Sequence, residues 1–252
     1  MTDLPDAISF DLTGKRALVT GGSRGIGLGC AAAVARAGAE TVIVSRGADT
    51  LSEVTEAFAA EGTAVRAEAL DMADLDAFKA FLDREAPFDI VVNSAGVARH
   101  GPALETTVAD YDLVMGLNLR AAYFLSTWSA ATMPKGGSII HISSQMGHVG
   151  GIDRAVYCAS KHGIEGMVKA LAQEFGPRGV RINSVCPTFI KTPLTAPTFA
   201  DPERVAWIES KIYLDRIGEV EDVMGAVLFL ASSASGLVTG TSLRVDGGWT
   251  TG

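Results

Sequence analysis

The sequence predicts an α/β fold in which one doubly wound parallel sheet is covered by helices on both faces. Short β-branched runs alternate with longer stretches of helical periodicity along the chain. Several runs are apolar at consecutive positions, which is typical of strands buried on both faces. No repeat with a period of roughly 20 to 50 residues interrupts this pattern. A chain of 252 residues has room for one large or two small domains, and the uninterrupted alternation favours a single domain over residues 1–252.

Seven runs predict the strands of this sheet, because each is short, rich in β-branched residues and followed by turn or helix signals. In chain order they are 16–20, 41–45, 64–70, 89–93, 138–143, 180–186 and 241–245. The segments between them place apolar residues at helical spacing, as Leu51, Val54 and Phe58 do after the second run. Strands that alternate with helices in this way predict right-handed crossovers.

The least regular part of the chain is the segment 186–203, which contains four prolines. Proline removes a backbone donor and interrupts helices and strands. We therefore expect a long irregular loop here, which forms a substrate lid over about residues 187–215.

Composition limits the classes of partner. The 21 Lys and Arg residues against 29 Asp and Glu residues give a net charge of −8, which argues against nucleic acid and against an anionic membrane surface. No apolar stretch approaches the roughly 20 residues that span a bilayer, and the acidic start of the chain does not resemble a secretory signal. The three cysteines are too few for a disulfide framework. These observations predict a cytoplasmic protein.

A glycine-rich turn at residues 20–27 follows the first predicted strand and leads into a helical pattern. A helix N-terminus offers free N–H groups and a partial positive charge to a pyrophosphate, and glycines let the backbone approach it closely. The spacing differs from the literal GxGxxG fingerprint, so a turn without a ligand stays an alternative. The residues that we expect to contact a dinucleotide here are Gly21, Ser23, Arg24, Gly25, Ile26 and Gly27.

Tyr157 and Lys161 are four residues apart, which places them one turn apart on the same face of a predicted helix. An ammonium group close to a phenol favours the phenolate and makes the hydroxyl a better proton relay. Ser144, at the end of the fifth strand, could hydrogen-bond the same substrate oxygen. Alone, such a pair is most often an ordinary exposed helix face.

Several motifs together resemble the classical short-chain dehydrogenase/reductase family, over about residues 12–249. They are the glycine turn at 20–27, the Asn93-Ser94-Ala95-Gly96 run, Asn118, Ser144, the Tyr157–Lys161 pair and the closing VDGGW run. The resemblance implies a Rossmann fold with strand order 3-2-1-4-5-6-7, no separate substrate domain and usually a homotetramer.

The resemblance also implies a catalytic tetrad in the segment 118–161. Tyr157 would exchange a proton with the substrate oxygen while hydride passes to or from the nicotinamide. Lys161 would lower the pKa of Tyr157 and bind the nicotinamide ribose. Ser144 would orient the substrate oxygen, and Asn118 would hold a water molecule in the proton relay.

Further cofactor contacts are implied by position. They are Asp71, Met72, Asn93, Ala95, Gly96, Tyr157, Lys161, Pro187, Thr188, Ile190 and Thr192. Two positions depart from the family pattern: Ser94 stands where the family often has Asn, and Thr188 stands where it most often has Gly. We expect Thr188 to reshape the substrate pocket more than the hydride chemistry. Asp71 could contact the adenine or could cap the helix that follows.

The choice of dinucleotide depends on the end of the second strand. Ser45 and Arg46 stand where a domain that binds NAD usually places an acid. Arg46 and Arg24 could clamp a 2′-phosphate, so the sequence favours NADP(H), with NAD(H) as the alternative if Arg46 stacks on the adenine or faces solvent.

We expect the enzyme to interconvert a secondary alcohol and a ketone on a small hydroxylated substrate such as a sugar, sugar acid or polyol, without a metal. The substrate residues implied by position are Ser144, Gln145, Met146, His148, Arg154, Tyr157, Thr188 and Trp207. Two alternatives stay open: a 3-oxoacyl-(acyl-carrier-protein) reductase, and a dinucleotide-binding regulator without catalysis. A small-residue stripe at Gly163, Gly166 and Ala170 and the C-terminal VDGGW run could form subunit contacts.

Overall fold

A computed structural model, which describes residue 4 and residues 7–251, places seven strands in one parallel sheet with the order β3-β2-β1-β4-β5-β6-β7. The strands are β1 (Arg16–Thr20), β2 (Glu40–Ser45), β3 (Val65–Ala69), β4 (Ile90–Asn93), β5 (Ser138–Ile142), β6 (Arg181–Pro187) and β7 (Ser242–Val245). Each predicted strand is present with its ends shifted by at most one residue, and the implied strand order is confirmed. Every residue of β4 and β6 is buried, as expected of central strands with helices on both sides.

The helices cover both faces of the sheet. They are α1 (Gly25–Arg36), α2 (Ala48–Ala60), α3 (Leu75–Glu85), α4 (Val108–Met115), α5 (Ala122–Thr132), α6 (Ala155–Phe175), α7 (Ala196–Phe199), α8 (Pro202–Glu209) and α9 (Val220–Ala231). A π-helical turn at Gly116–Ala121 joins α4 to α5.

Two apolar cores hold these layers together. On one face, Val34 of α1 packs with Val223 and Val227 of α9 against the sheet, and all three are fully buried. On the other face, Phe78 of α3 and Leu125 of α5 are equally buried against the strands. Burial of this apolar surface fixes the helices that carry the site.

The expectation of an irregular loop over 186–203 is wrong, because α7 and the start of α8 lie within it. Pro197 and Pro202 occupy the first turns of these helices, where a missing N–H costs no hydrogen bond. Asp201 caps α8 by accepting hydrogen bonds from the backbone N–H groups of Glu203 (3.0 Å) and Arg204 (3.4 Å). These prolines therefore start helices in the segment that we expected to be loop.

In the described part of the chain, none of the helices combines the length and the apolar character needed to cross a bilayer.

Candidate active site

A cleft opens at the carboxyl ends of the strands, where β1 lies between β2 and β4 and the chain departs to opposite sides of the sheet. Such a crevice is the expected ligand site of a doubly wound sheet. The predicted residues that line it are Gly21, Ser23, Arg24, Gly25, Ile26, Gly27, Ser45, Arg46, Asp71, Met72, Ala95, Gly96, Tyr157, Lys161 and Thr192.

The glycine turn leaves no room for side chains at two positions. A Cβ on Gly21 would lie 2.9 Å from the backbone nitrogen of Ala95, and Gly21 also has a positive φ of 69°. A Cβ on Gly27 would collide with the carbonyl oxygen of Gly21. Helix α1 begins directly after Arg24, whose side chain does not cap it. The N–H groups of its first turn therefore face the cleft without a side-chain cap, as a phosphate would require.

The far end of the cleft carries two exposed cations. Arg24 and Arg46 both line it, and neither forms an ion pair within the described residues. The hydroxyl groups of Ser23 and Ser45 lie 2.8 Å apart and join the glycine turn to the end of β2. Two unpaired guanidinium groups at this end fit a phosphate better than bare ribose hydroxyls.

Asp71 lines the cleft and does not cap the next helix. The cap of α3 is Asp74, which accepts a hydrogen bond of 3.0 Å from the backbone N–H of Ala77. Asp71 instead accepts one of 2.9 Å from the N–H of Ala73. The capping alternative for Asp71 is therefore wrong.

Helix α6 brings Lys161 against Tyr157. The Lys161 ammonium lies 5.6 Å from the centroid of the Tyr157 ring and donates a hydrogen bond of 2.9 Å to the carbonyl of Ile142. The Lys161 residue is 7% exposed, and this burial lowers the pKa of its ammonium to about 8. The fixed hydrogen bond to the end of β5 holds the ammonium at the floor of the cleft.

Burial also raises the pKa of the Tyr157 phenol. A hydrogen bond with Ser144 opposes this rise first, and the positive charge of Arg154 opposes it next. Since the pKa stays above the ordinary value of 10.0, the phenol is protonated at neutral pH and can donate its proton to an oxygen.

Ser144 stands just after β5, where it starts a short turn over Gln145–Gly147. Its hydroxyl oxygen accepts a hydrogen bond of 3.1 Å from the backbone N–H of Met146. That bond fixes the Ser144 side chain beside Tyr157, so both hydroxyls can reach one substrate oxygen.

Asn118 lies in the π-helical turn and is 2% exposed. Its carboxamide accepts a hydrogen bond from the N–H of Val97 (2.8 Å) and donates to the carbonyl of Val97 (2.9 Å) and to the hydroxyl of Ser160 (3.2 Å). These bonds tie the loop after β4 to α6. Asn118 thus links the segment beneath the cleft to the helix that carries Tyr157.

Asn93 does not line the cleft. Its carboxamide accepts a hydrogen bond from Thr20 (2.8 Å) and lies 3.2 Å from Nδ1 of His141, whose Nε2 lies 2.8 Å from the hydroxyl of Ser126. The network is fully buried. It joins the ends of β1, β4 and β5, so the Asn93 side chain has a structural role, and the expected cofactor contact of Asn93 stays a prediction.

Other predicted residues also lie outside the cleft lining. Pro187 ends β6 in the core, Ile190 is 2% exposed, and Gln145 and Met146 are buried. Thr188 and Ile190 line a second cavity with residues such as Tyr213 and Arg244. Trp207 packs edge to face on Trp249 at 5.2 Å. Residues that are neighbours in sequence can face different layers, and this places these residues outside the cleft lining. Their cofactor and substrate contacts stay predictions.

His148 does not line the cleft and faces Glu165, with Nε2 3.7 Å from a carboxylate oxygen. Glu165 also accepts hydrogen bonds from Ser184 (2.8 Å) and Ser242, and from the thiol of Cys186 (3.4 Å). Atoms of His148, Glu165 and Cys186 come within 4.8 Å of one another, a spacing open to a metal ion. Because the carboxylate already has several donors, hydrogen bonding accounts for the cluster.

The cleft contains residues that the sequence analysis missed. They are Val44, Leu70, Ser94, Val97, Ala98, Leu117, Ile142, Ser143, Pro193 and Leu194. Most of them stand at or just after the end of a strand. Position at the carboxyl edge of the sheet was the signal available for them.

Two residues of the predicted subunit contacts also pack within their own chain. A Cβ on Gly163 would lie 2.7 Å from a methyl group of Leu119, so Gly163 packs within its own chain, whereas Gly166 has open space around it. Trp249 packs on Phe189 (5.6 Å) as well as on Trp207. Gly163 and Trp249 therefore already have partners in the same chain.

Comparisons with known proteins agree with this architecture. A family model described as enoyl-(acyl carrier protein) reductase matches residues 21–250. Gluconate 5-dehydrogenase of Gluconobacter oxydans (strain 621H) is 38% identical over 247 residues, which cover 96% of each chain. L-xylulose reductase of Mus musculus is 37% identical over 245 residues, which cover 96% of this chain and 99% of the relative.

A solved structure gives the same result. The crystal structure of a gluconate 5-dehydrogenase from Burkholderia cenocepacia J2315, in complex with NADP and tartrate, matches with a TM-score of 0.90 at 32% identity and covers 96% of this chain and 98% of that chain.

Proposed function

The chain belongs to the short-chain dehydrogenase/reductase family and is a nicotinamide-dependent oxidoreductase of CH–OH groups; we propose that it interconverts a secondary alcohol and a ketone on a sugar, sugar acid or polyol with NADP(H). The relatives named as gluconate 5-dehydrogenase and L-xylulose reductase support this substrate class. The observation that carries the proposal is the convergence of Tyr157, Lys161 and Ser144 at one side of the cleft.

The residues of the cleft fit a dinucleotide. The uncapped start of α1 suits a pyrophosphate, and Arg24 and Arg46 suit a 2′-phosphate. When bound, NADP(H) supplies or accepts the hydride. We assign the remaining contacts of the nicotinamide half to Lys161, Gly96 and Thr192, which line the same cleft as Tyr157.

The proposed proton chemistry belongs to Tyr157. In ketone reduction its phenol donates a proton to the substrate oxygen, and in alcohol oxidation its phenolate removes that proton. Ser144 holds the same oxygen by a hydrogen bond. Lys161, with its ammonium close to the ring, stabilises the phenolate that forms during reduction. Asn118 keeps α6 in register with the loop after β4 and, in this proposal, also holds a water molecule of the proton relay.

The acyl-carrier alternative has less support. An acidic carrier protein requires a basic surface beside the cleft. The chain carries a net charge of −8, and the exposed cations at the cleft, Arg24 and Arg46, stand at the end that we assign to the cofactor. The regulator alternative conflicts with the retention of both Tyr157 and Lys161.

We also propose a cytoplasmic homotetramer. All three cysteines are free and buried, which suits a reducing compartment. Large apolar side chains are exposed around α4 and α5, where a subunit contact would cover them. They are Leu104, Val108, Tyr111, Leu113 and Tyr123.

A parallel titration with NADPH and NADH tests the cofactor preference. We expect tighter binding of NADPH, and we expect Arg46→Ala to weaken it about tenfold or more, because a charge-assisted hydrogen bond contributes about 1.5–3 kcal/mol. Binding of NADH should change much less. Arg36→Ala is the matched control, since Arg36 lies at the other end of α1 and pairs with Glu61. Tighter NADH binding that is insensitive to Arg46→Ala would overturn the preference.

A further inference from the structure

Arg154 lies beside the proposed proton donor and outside the cofactor cleft. It directly precedes α6, and Tyr157 is the third residue of that helix, so the two side chains start from the same side of the helix. Against the rise that burial causes, the positive charge of Arg154 lowers the pKa of Tyr157 and so favours the phenolate. Arg154 therefore stands next to the point where the substrate oxygen must lie.

The guanidinium group is held in place on two sides. One nitrogen donates a hydrogen bond of 2.7 Å to Nε2 of His100, and the His100 ring lies edge to face on the Tyr157 ring at 5.6 Å between centroids. On another side the guanidinium stacks over Phe189, 5.3 Å from its centroid. A planar group fixed in this way loses little freedom when it binds a ligand.

Arg154 has no counter-ion among the described residues. Nearby arginines do: Arg99, the chain neighbour of His100, lies 3.4 Å from Asp110, and Arg204, whose charge adds to burial in lowering the pKa of Arg154, lies 3.4 Å from Asp201. Arg154 is half-buried, and its only hydrogen bond to a described residue is the one to His100. Four of its five N–H donors therefore have no hydrogen-bond partner among the described residues.

His100 orients the guanidinium group of Arg154 and leaves its positive charge free to attract an anionic ligand. Its Nε2 can accept a hydrogen bond from Arg154 only when the ring is neutral with the proton on Nδ1. Desolvation, followed by the charges of Arg154 and Arg204, holds the pKa of His100 below its ordinary value, so the ring stays neutral. The acceptor orients Arg154 without neutralising it. The positive charge remains for the substrate.

The following inference rests on the proposed function and concerns the substrate of the same site. We propose that the preferred substrate is a hydroxy acid of the sugar-acid type, whose carboxylate pairs with Arg154 while the hydroxyl to be oxidised lies against Tyr157. A carboxylate matches the guanidinium fork in a bidentate manner, whereas a polyol hydroxyl does not. A neutral sugar would leave a half-buried cation uncompensated. Arg154 then selects the acid over the alditol of equal length.

The test compares matched pairs of substrates. Oxidation of D-gluconate and of its neutral counterpart D-glucitol, together with shorter aldonate and alditol pairs, is measured with NADP⁺ for the wild type and for Arg154→Met. We expect the wild type to prefer the acid member. Arg154→Met should raise KM for the acid about tenfold or more and change kcat/KM for the alditol by less than about threefold. Arg154→Lys should restore part of the affinity.

Arg99→Met is the matched control, because Arg99 directly precedes His100 in the chain and its charge is already paired with Asp110. It should leave the preference for the acid unchanged. An unaltered affinity for NADPH shows that each variant is folded. If Arg154 acted only on the proton affinity of Tyr157, its replacement would slow the acid and the alditol equally, and that result would overturn the proposal.

Calorimetric titration of gluconate into the complex of the enzyme with NADP⁺ distinguishes failure of the Arg154 anion site from failure of the proposed function. Turnover of alditols with no preference for acids, and no Arg154-dependent binding of gluconate, would overturn the inference and leave the proposed function intact. Binding of gluconate that Arg154→Met weakens, without turnover of any member of either series, would support the anion site and overturn the proposed function.

Discussion

Burial shifts the pKa values of Tyr157 and Lys161 in opposite directions, and each shift disfavours the charged form. The pKa of the phenol rises, and the pKa of the ammonium falls to about 8. Before a substrate binds, the pair therefore favours the neutral phenol. Ketone reduction uses this protonated phenol as the acid. Alcohol oxidation needs the phenolate as the base, so we expect the rate of alcohol oxidation to rise with pH.

His141 provides a residue-level prediction about acid stability. Complete burial lowers its pKa to about 3, whereas its ordinary value in the unfolded chain is 6.5. Between these values the unfolded state binds more protons, so the free energy of unfolding falls as the pH falls below 6.5. At a pH of about 5 this loss is about 2 kcal/mol. Urea denaturation of the wild type and of His141→Gln at about pH 7 and pH 5 measures it.

The variant should be less stable at neutral pH, yet its further loss on acidification should be smaller by about 2 kcal/mol. His162 is exposed, so His162→Gln is the control and should keep the wild-type pH dependence. Equal losses in the wild type and His141→Gln would show that His141 is protonated in the folded state.

At the scale of one element, the glycine turn predicts different results for two glycines. A Cβ on Gly27 would strike the Gly21 carbonyl, whereas a Cβ on Gly225, exposed within α9, would meet nothing. We expect Gly27→Ala to lower the affinity for NADPH at least about tenfold and to cost about 1–3 kcal/mol of stability. Gly225→Ala should add about 0.5–1 kcal/mol and leave binding unchanged. Fluorescence titration and thermal unfolding measure both. Tight NADPH binding by Gly27→Ala would contradict this role of the turn.

The sequence was most informative about elements with a strong local signal. The strands followed from their β-branched runs, and the face shared by Tyr157 and Lys161 followed from their spacing. Helices α7 and α8 were missed because proline interrupts a helix interior but favours its first turn, and the sequence alone does not say which position applies. The sequence alone also did not say whether Asp71 or Asp74 caps α3, because an aspartate at either position could accept hydrogen bonds from the first turn.

At the scale of the whole molecule, sequence could not say which layer a residue faces. The turn after Ser144 buries Gln145 and Met146 and turns His148 towards Glu165. The contact of Arg154 with His100 joins residues 54 positions apart, which no local pattern could reveal. The strand order came from the family resemblance.

Oligomerisation is also a whole-molecule prediction. The family resemblance implies a tetramer, and the exposed apolar residues around α4 and α5 are the contact that we propose for it. Light scattering should therefore give four times the chain mass of 26.2 kDa. Replacing Tyr111 and Tyr123 together by Glu should reduce that mass, because buried like charges oppose association. Leu237→Glu, at an exposed residue before β7, is the control and should remain tetrameric. A wild-type monomer at micromolar concentration would contradict this assembly.

The central claim is that Tyr157 exchanges the proton while hydride moves at the nicotinamide. Rapid-mixing measurement of NADPH formation, with the best alcohol substrate and the Tyr157→Phe variant, tests it most directly. The account predicts that Tyr157→Phe binds NADP⁺ with the affinity of the wild type and forms NADPH about 10²- to 10⁴-fold more slowly, which is the usual contribution of a positioned acid or base. Formation of NADPH by Tyr157→Phe at a rate close to that of the wild type would contradict it.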